Sequence, residues 1–228
     1  MVNPAAIQAV VFDLDDMLYP ERDYVRSGYR AVARRLGGPG TDAKVLETYM
    51  WDRFLAGQSA RAFDAASEHF GLNLSTEQIA ELVEVYRNHR PDIRPYEGIA
   101  DFLGRLREHC RLGLLSDGFL PAQELKLEAL KLGRFFDEVL FTERLGREAW
   151  KPSTAGFEAI RRKLALPHKA FAYVADNPAK DFVAANALGW RGIQYLRPGQ
   201  IHSHNPGPPG GQPQAIVRDL GDLRAAFR

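Results

Sequence analysis

Short apolar segments alternate with amphipathic helical segments over the second half of the chain, and this alternation constrains the fold most. The apolar segments are Leu112–Leu115, Glu138–Phe141, Phe171–Ala175 and Gly192–Leu196. The helical segments between them are Pro121–Leu132, Thr154–Leu164 and Pro178–Leu188. Strands that alternate with helices through short connections predict a parallel β-sheet covered by helices on both faces. The predicted fold class is therefore α/β.

The segment Val10–Tyr19, which reads VVFDLDDMLY, supplies a further strand near the start of the chain. Its apolar run Val10–Phe12 contains no charge and is typical of a strand buried on both faces of a parallel sheet. The run ends at Asp13, and Asp15 lies two positions further on. Ligands of open α/β sheets bind beyond the carboxyl ends of the strands. Taken alone, the same residues also fit an Asp-rich turn that caps a helix.

Amphipathic helical patterns fill the stretch from about Tyr24 to Tyr86. The last of them begins with a capping box and has apolar residues at i, i+3, i+4 and i+7, namely Ile79, Leu82, Val83 and Tyr86. We expect three or four helices, inserted directly after the first strand, where they would form a lid over the ligand edge. The predicted division is a helical cap over residues 19–95 and an α/β core formed by residues 1–18 and 96–228.

The near-zero net charge of the chain predicts no overall attraction to a polyanion. The chain has 228 residues, with Lys+Arg 30 against Asp+Glu 29 and a net charge of +1. No global field would recruit nucleic acid or a membrane surface. The N-terminal residues lack a signal-peptide pattern, no apolar run approaches the roughly 20 residues needed to span a bilayer, and the single cysteine excludes an internal disulfide framework. We expect a cytoplasmic protein of unknown oligomeric state.

Polar residues stand at the ends of several predicted strands. In chain order they are Asp13 and Asp15, Ser116-Asp117-Gly118, Lys151 before Pro152, and Asp176 with Asp181 five positions further on. Each group alone has a structural explanation as a turn or a helix cap. Because all of them lie at one edge of a parallel sheet, they jointly supply carboxylates for a hard cation such as Mg²⁺, and a hydroxyl, turn amides and a lysine for a phosphate.

The ordered set of motifs resembles the haloacid dehalogenase-like (HAD) superfamily of phosphohydrolases. The matching segments read FDLDD, LLSDG, WKPS and ADNPAKD, and the resemblance covers essentially the whole chain, including a helical insertion after the first motif. It implies a Rossmann-like parallel sheet core with a small all-helical cap. It also implies a Mg²⁺-dependent phosphatase acting on a small phosphorylated metabolite, with no nucleic-acid or membrane partner.

The resemblance also implies roles for the carboxylates. Asp13 would attack the phosphoryl group and form an aspartyl-phosphate, and Asp15 would protonate the leaving oxygen and later deprotonate water. Asp13, Asp176 and the main-chain carbonyl of Asp15 would bind Mg²⁺, while Asp181 would hold the water ligands of the ion. We expect the negative charge of the phosphate and of the neighbouring carboxylates to raise the pKa of Asp15 toward the range a general acid needs.

The remaining motif residues would bind the phosphate. By the same resemblance, Ser116, the amides of Asp117 and Gly118, and Lys151 would surround its oxygens and balance their charge. Asp117 stands where asparagine is common in the superfamily, so we expect its side chain to turn away and its amide to contribute. Two further departures are Met17, in place of threonine or valine, and Ala175, in place of glycine.

Three alternative functions remain open. A phosphomutase needs the same core, and a catalytically weak phosphate-binding module is compatible with Met17 and Asp117. A dehalogenase is disfavoured because it would not need Asp15 as an acid. The Pro/Gly-rich loop at 197–213 follows a strand of the sheet, so we hypothesise that it borders the substrate entrance or a subunit contact.

Overall fold

The computed structural model describes residues 7–38 and 40–227. Its strands form one parallel sheet in the order β3-β2-β1-β4-β5-β6. They are β1 (Ala9–Phe12), β2 (Arg111–Ser116), β3 (Glu138–Phe141), β4 (Phe171–Ala175), β5 (Arg191–Tyr195) and β6 (Ala215–Val217). The predicted Rossmann-like α/β core is confirmed.

Helices connect the strands. Four of them follow β1 in the chain: α1 (Glu21–Leu36), α2 (Ala43–Leu55), α3 (Ala62–His69) and α4 (Thr76–Asn88). The others are α5 (Ile99–Leu106), α6 (Ala122–Leu130), α7 (Ala155–Leu164), α8 (Phe182–Ala187) and α9 (Leu220–Ala225). None of these helices is long and apolar enough to cross a membrane.

The central strand β1 explains the position of the site. It pairs with β2 on one side and β4 on the other, and all four of its residues are fully buried. Because successive strand residues face opposite sides of a sheet, Val10 and Phe12 pack with one hydrophobic cluster while Ala9 and Val11 pack with another. An apolar strand that is covered on both faces brings the residue after it, Asp13, to the centre of the sheet edge.

The helices α1–α4 have a hydrophobic cluster of their own. It includes Tyr29, Val32, Leu46, Met50 and Leu82. The capping box predicted at the start of α4 is present, with Ser75 and Gln78 as its two partners. Over its described residues, 19–38 and 40–95, the helical insertion thus contains four α-helices; the boundary of a cap at residues 19–95 stays a prediction.

One predicted helix boundary is wrong. The helix predicted from Pro178 begins at Phe182, and residues 178–180 form a turn instead. Two side chains stabilise this turn, because Asn177 Oδ1 accepts a hydrogen bond from the Ala179 amide and Asp181 Oδ2 accepts one from the Asn177 amide. The turn therefore satisfies backbone donors with side-chain oxygens, as Asn and Asp commonly do outside helices.

Candidate active site

Asp13 and Lys151 form a buried ion pair at the end of β1. Lys151 Nζ lies 2.9 Å from Asp13 Oδ1 and 2.7 Å from Asp181 Oδ1, and it donates a 2.9 Å hydrogen bond to the Tyr173 hydroxyl. Burial raises the pKa of Asp13 to about 6, although the Lys151 cation opposes this shift. Burial alone would lower the pKa of Lys151, but the Asp13 and Asp181 carboxylates raise it well above its usual value.

Three carboxylates form a cluster beside this pair. Oxygen atoms of Asp13, Asp176 and Asp181 all lie within 4.8 Å of one another, and the three residues are buried. Burial and then the charges of Asp181 and Asp13 raise the pKa of Asp176 well above its usual range. Asp176 Oδ2 is buried and has no hydrogen-bond partner among the residues that the structure describes. An all-oxygen set with a free buried acceptor fits a divalent cation such as Mg²⁺.

Asp15 is held by side chains outside the predicted motifs. Its carboxylate accepts hydrogen bonds from Lys126 Nζ at 2.8 and 3.0 Å, from Gln123 Nε2 at 2.9 Å and from the Tyr19 hydroxyl. Burial raises the pKa of Asp15, but the Lys126 charge and these hydrogen bonds outweigh it, so the pKa lies below its usual value. In the protein by itself this pKa is lowered, because a cation is in direct contact with the carboxylate; a rise caused by the charge of a phosphate stays a prediction.

The residues after β2 lie against the same centre. The Asp117 carboxylate accepts hydrogen bonds from the Thr142 hydroxyl at 2.8 Å and from the Lys151 amide at 3.2 Å, and Lys180 Nζ lies 3.7 Å away. Gly118 has a φ of 138°, and a Cβ at this position would overlap the Gln123 side chain. Neighbouring hydrogen-bond donors and the Lys180 cation thus stabilise the Asp117 carboxylate. The contribution of the Asp117 amide to phosphate binding stays a prediction.

The two other departures from the superfamily pattern cause no visible distortion. The Met17 side chain is fully buried in the hydrophobic cluster that also contains Leu14 and Leu18. Ala175 continues β4 and is not among the residues with a positive φ. An alanine in extended backbone carries no conformational penalty relative to glycine.

A cavity of about 640 Å³ opens onto these groups. The predicted residues that line it are Asp13, Asp15, Asp117, Gly118, Lys151 and Asp176. Helices α1 and α4 contribute a further part of its wall, namely Glu21, Tyr24, Val83, Tyr86 and Arg87. Ser116 and Asp181 are buried and do not line the cavity. The structure therefore joins most of the predicted site in a single cavity between the sheet edge and the inserted helices.

Sequence comparison identifies the family. A family model described as haloacid dehalogenase-like hydrolase matches residues 7–189, which is most of the chain. The chain belongs to the HAD-like hydrolase family. This confirms the resemblance on which the predicted site was based.

Three relatives with curated names are phosphatases. The Methanopyrus kandleri protein named glyceraldehyde 3-phosphate phosphatase is 28% identical to this chain, over 84% of both chains. The Methanocaldococcus jannaschii protein of the same name is 25% identical, over 84% of this chain. The second match covers 86% of the Methanocaldococcus protein.

Solved structures show the same fold in proteins of different names. The HAD-hydrolase YfnB from Bacillus subtilis, bound to magnesium, has a TM-score of 0.72 at 18% identity, covering 97% of this chain and 98% of that one. A 2-haloacid dehalogenase from Pseudomonas syringae has a TM-score of 0.63 at 22% identity, covering 97% and 98% of the two chains. The fold alone therefore does not separate phosphatase from dehalogenase chemistry.

The Pro/Gly-rich loop of this HAD-like hydrolase forms hydrogen bonds with residues next to the site. Gln200 Nε2 donates to the Asp16 carbonyl at 2.7 Å, and the Ile201 amide donates to Asp16 Oδ2 at 2.6 Å. Gln194 Nε2 on β5 bridges the carbonyls of Asp176 and Ser203, at 2.9 and 2.7 Å. The loop also contributes His202 to the cavity wall, in agreement with the hypothesis that it borders the substrate entrance.

Three residues of the site were not predicted from the sequence, namely Gln123, Lys126 and Lys180. Gln123 and Lys126 are three positions apart on α6, so they lie on one face of the helix that follows the Ser-Asp-Gly turn. Both side chains are buried. A lysine and a glutamine at this spacing, directly after the Ser-Asp-Gly turn, were the sequence signal that could have identified both residues. Lys180 lies between Asp176 and Asp181 in the motif ADNPAKD, so its place in the sequence could also have identified it as a residue of the site.

Proposed function

We propose that this HAD-like hydrolase is a Mg²⁺-dependent phosphatase that hydrolyses a small phosphomonoester through an aspartyl-phosphate on Asp13. The observation that supports this most is the buried Lys151 ammonium between Asp13 and Asp181, next to the unpartnered oxygen of Asp176. The predicted enzyme class, a HAD-like phosphatase, is confirmed by the family and by the phosphatases among its relatives.

Asp13, Asp176 and the main-chain carbonyl of Asp15 would hold the cation. When bound, Mg²⁺ would neutralise charge on the phosphoryl oxygens. Lys151 Nζ orients the Asp13 carboxylate through Oδ1, which leaves Oδ2 to attack phosphorus. The same ammonium balances the charge that grows on the phosphoryl oxygens in the transition state. Asp181 Oδ1 also contacts Lys151 Nζ, at 2.7 Å, and in this proposal Asp181 holds the water ligands of the cation.

Asp15 would act on the leaving group and then on water. It would give a proton to the leaving oxygen as the aspartyl-phosphate forms, and would take a proton from the water that hydrolyses it. Its ion pair with Lys126 favours the ionised carboxylate, which is the state that the second step requires. The first step requires that this pair open when the phosphate dianion enters the cavity and competes for Lys126.

Phosphate release from a panel of phosphomonoesters tests the proposal, and glyceraldehyde 3-phosphate is the first substrate to include. We expect release with Mg²⁺ and none with EDTA. Asp13→Asn should abolish it, and Lys151→Ala should lower kcat by about 10²–10³. Asp101→Asn, at an exposed position of α5 outside the cavity, is the matched control and should retain full activity.

Retained activity in Asp13→Asn would refute the assignment of the nucleophile. Conversion of a sugar phosphate to an isomer without release of free phosphate would instead identify a phosphomutase. A protein that binds vanadate but turns over none of the esters would be a phosphate-binding module.

A further inference from the structure

A second cavity adjoins the active-site cavity and lies among the inserted helices. Its volume is about 390 Å³. Residues that line this cavity and not the first include Val25, Tyr29, Phe54, Ala62, Phe63 and Ile79. Four residues line both cavities: Glu21, Val83, Tyr86 and His202. The two cavities therefore share one wall, which we call the shared wall.

The second cavity is mainly apolar. Phe54, Ile79 and Val83 are only half-buried, so part of their hydrocarbon surface faces the cavity. Of its charged lining residues, Arg61 is paired with Asp64 at 2.8 Å. Arg61 is the one arginine or lysine of the described lining, and the Asp64 carboxylate balances its charge, so the lining has no net positive charge to attract a second anion. The cavity thus favours uncharged, hydrophobic groups, whose burial releases apolar surface from water.

The position of Tyr86 in the shared wall depends on a glycine. The Tyr86 ring packs against Tyr24, Tyr29 and Phe63, with ring centroids 5.5, 6.0 and 5.9 Å away. It also lies directly over Gly28 of α1, where a Cβ would overlap the ring. Gly28 therefore lets the ring lie against α1, where it borders both cavities.

We propose that the second cavity is a subsite for an uncharged, apolar leaving group, such as the alkyl chain or aryl ring of a phosphomonoester. The inference rests on the proposed function, because it places the phosphate in the first cavity, in contact with Asp13 and Lys151, and extends the leaving group past the shared wall. A three-carbon leaving group would be accommodated within the first cavity alone, whose volume already falls in the range of about 300–1,000 Å³ that holds much larger ligands.

Binding of non-hydrolysable alkylphosphonates tests the subsite separately from catalysis. Dissociation constants of methyl-, butyl- and hexylphosphonate would be measured by calorimetry on the Mg²⁺-loaded protein. Each methylene that enters the subsite should tighten binding by about fourfold, the factor equivalent to the transfer free energy of one buried methylene. In parallel, kcat/KM for the corresponding alkyl phosphates should rise in the same order.

Two variants narrow the second cavity without touching the catalytic residues. Ser59→Trp fills it from an exposed position, and Ile79→Trp fills it from α4 should the first variant fail to fold. Each should reduce the ratio of hexyl- to methylphosphonate affinity at least tenfold. Gln58→Trp, at the neighbouring exposed position that lines neither cavity, is the control and should keep the ratio of the natural protein.

The possible outcomes separate this inference from the proposed function. Equal affinity for methyl- and hexylphosphonate, or an unchanged ratio in both tryptophan variants, would overturn the subsite even if methyl phosphate is hydrolysed. A chain-length dependence without turnover of any ester would support the subsite and refute the phosphatase.

Discussion

Replacement of Lys151 by methionine should destabilise the protein strongly. The substitution keeps a side chain of similar length but removes the cation that contacts Asp13 and Asp181. The Lys151 and Asp181 side chains are fully buried, and Asp13 is 4% exposed, so water cannot take over the role of the ammonium. Loss of one partner from a buried ion pair costs about 3–5 kcal/mol, because the remaining charge is buried without compensation.

Urea unfolding monitored by tryptophan fluorescence, in EDTA, would measure this loss. In a chain of this size, 3–5 kcal/mol corresponds to a decrease in Tm of roughly 6–20 °C. Lys163→Met is the matched control. Lys163 pairs with Glu138 at the surface and its side chain is 61% exposed, so the change should cost less than about 1 kcal/mol.

A second substitution tests whether uncompensated charge is the cause. Adding Asp181→Asn to Lys151→Met removes one of the carboxylates left without a cation, so the double variant should be more stable than the single one by about 1 kcal/mol or more. A loss below about 1 kcal/mol in Lys151→Met, or costs that simply add in the double variant, would refute this reasoning.

Three further predictions concern the inserted helices and the acidic cluster. Gly28→Ala should lower the free energy of unfolding by about 1–3 kcal/mol because of overlap with Tyr86, whereas Gly104→Ala, whose Cβ would have ordinary contacts, should be neutral or stabilising; chemical denaturation compares them. Burial lowers the pKa of His89, so the unfolded chain binds a proton that the folded protein does not. Stability should therefore fall as pH drops below about 6.5, and His89→Gln should have a flatter Tm profile between pH 5 and 7. Mg²⁺ at about 100 times its Kd should stabilise the protein by about 2.7 kcal/mol in thermal unfolding, and Asp176→Asn should lose most of this gain.

Local sequence patterns predicted the strands well because their physical basis is local. The strands Glu138–Phe141 and Phe171–Ala175 were predicted to the residue, since a short and mainly apolar run between two helical segments has few alternatives to a parallel strand. The start of α8 was missed because Asn177 and Asp181 bond to backbone amides and compete with the helix. That competition depends on how the end of β4 is placed relative to the acidic cluster. Hydrophobic periodicity carries no information about this placement.

The positions of the strand ends were enough to predict which residues meet at the site. The edge of a parallel sheet necessarily gathers the residues that follow its strands, so Asp13, Lys151 and Asp176 were expected to meet. The protonation behaviour of Asp15 was not predictable in this way. It is controlled by Lys126, which is 111 residues away in the chain and approaches from a helix whose rotation is set by packing.

The sequence by itself determined the α/β class, the order of the motifs, the helical insertion after the first strand and the carboxylates that can hold a cation. These follow from hydrophobic periodicity and from residue chemistry, which are properties of short segments. Only the tertiary structure decided which lysine pairs with which carboxylate and how the 197–213 loop forms hydrogen bonds with Asp16. It also decided that a second cavity opens beside Tyr86. Such features depend on contacts between distant segments, and their geometry is set by how whole helices pack against the sheet and against one another.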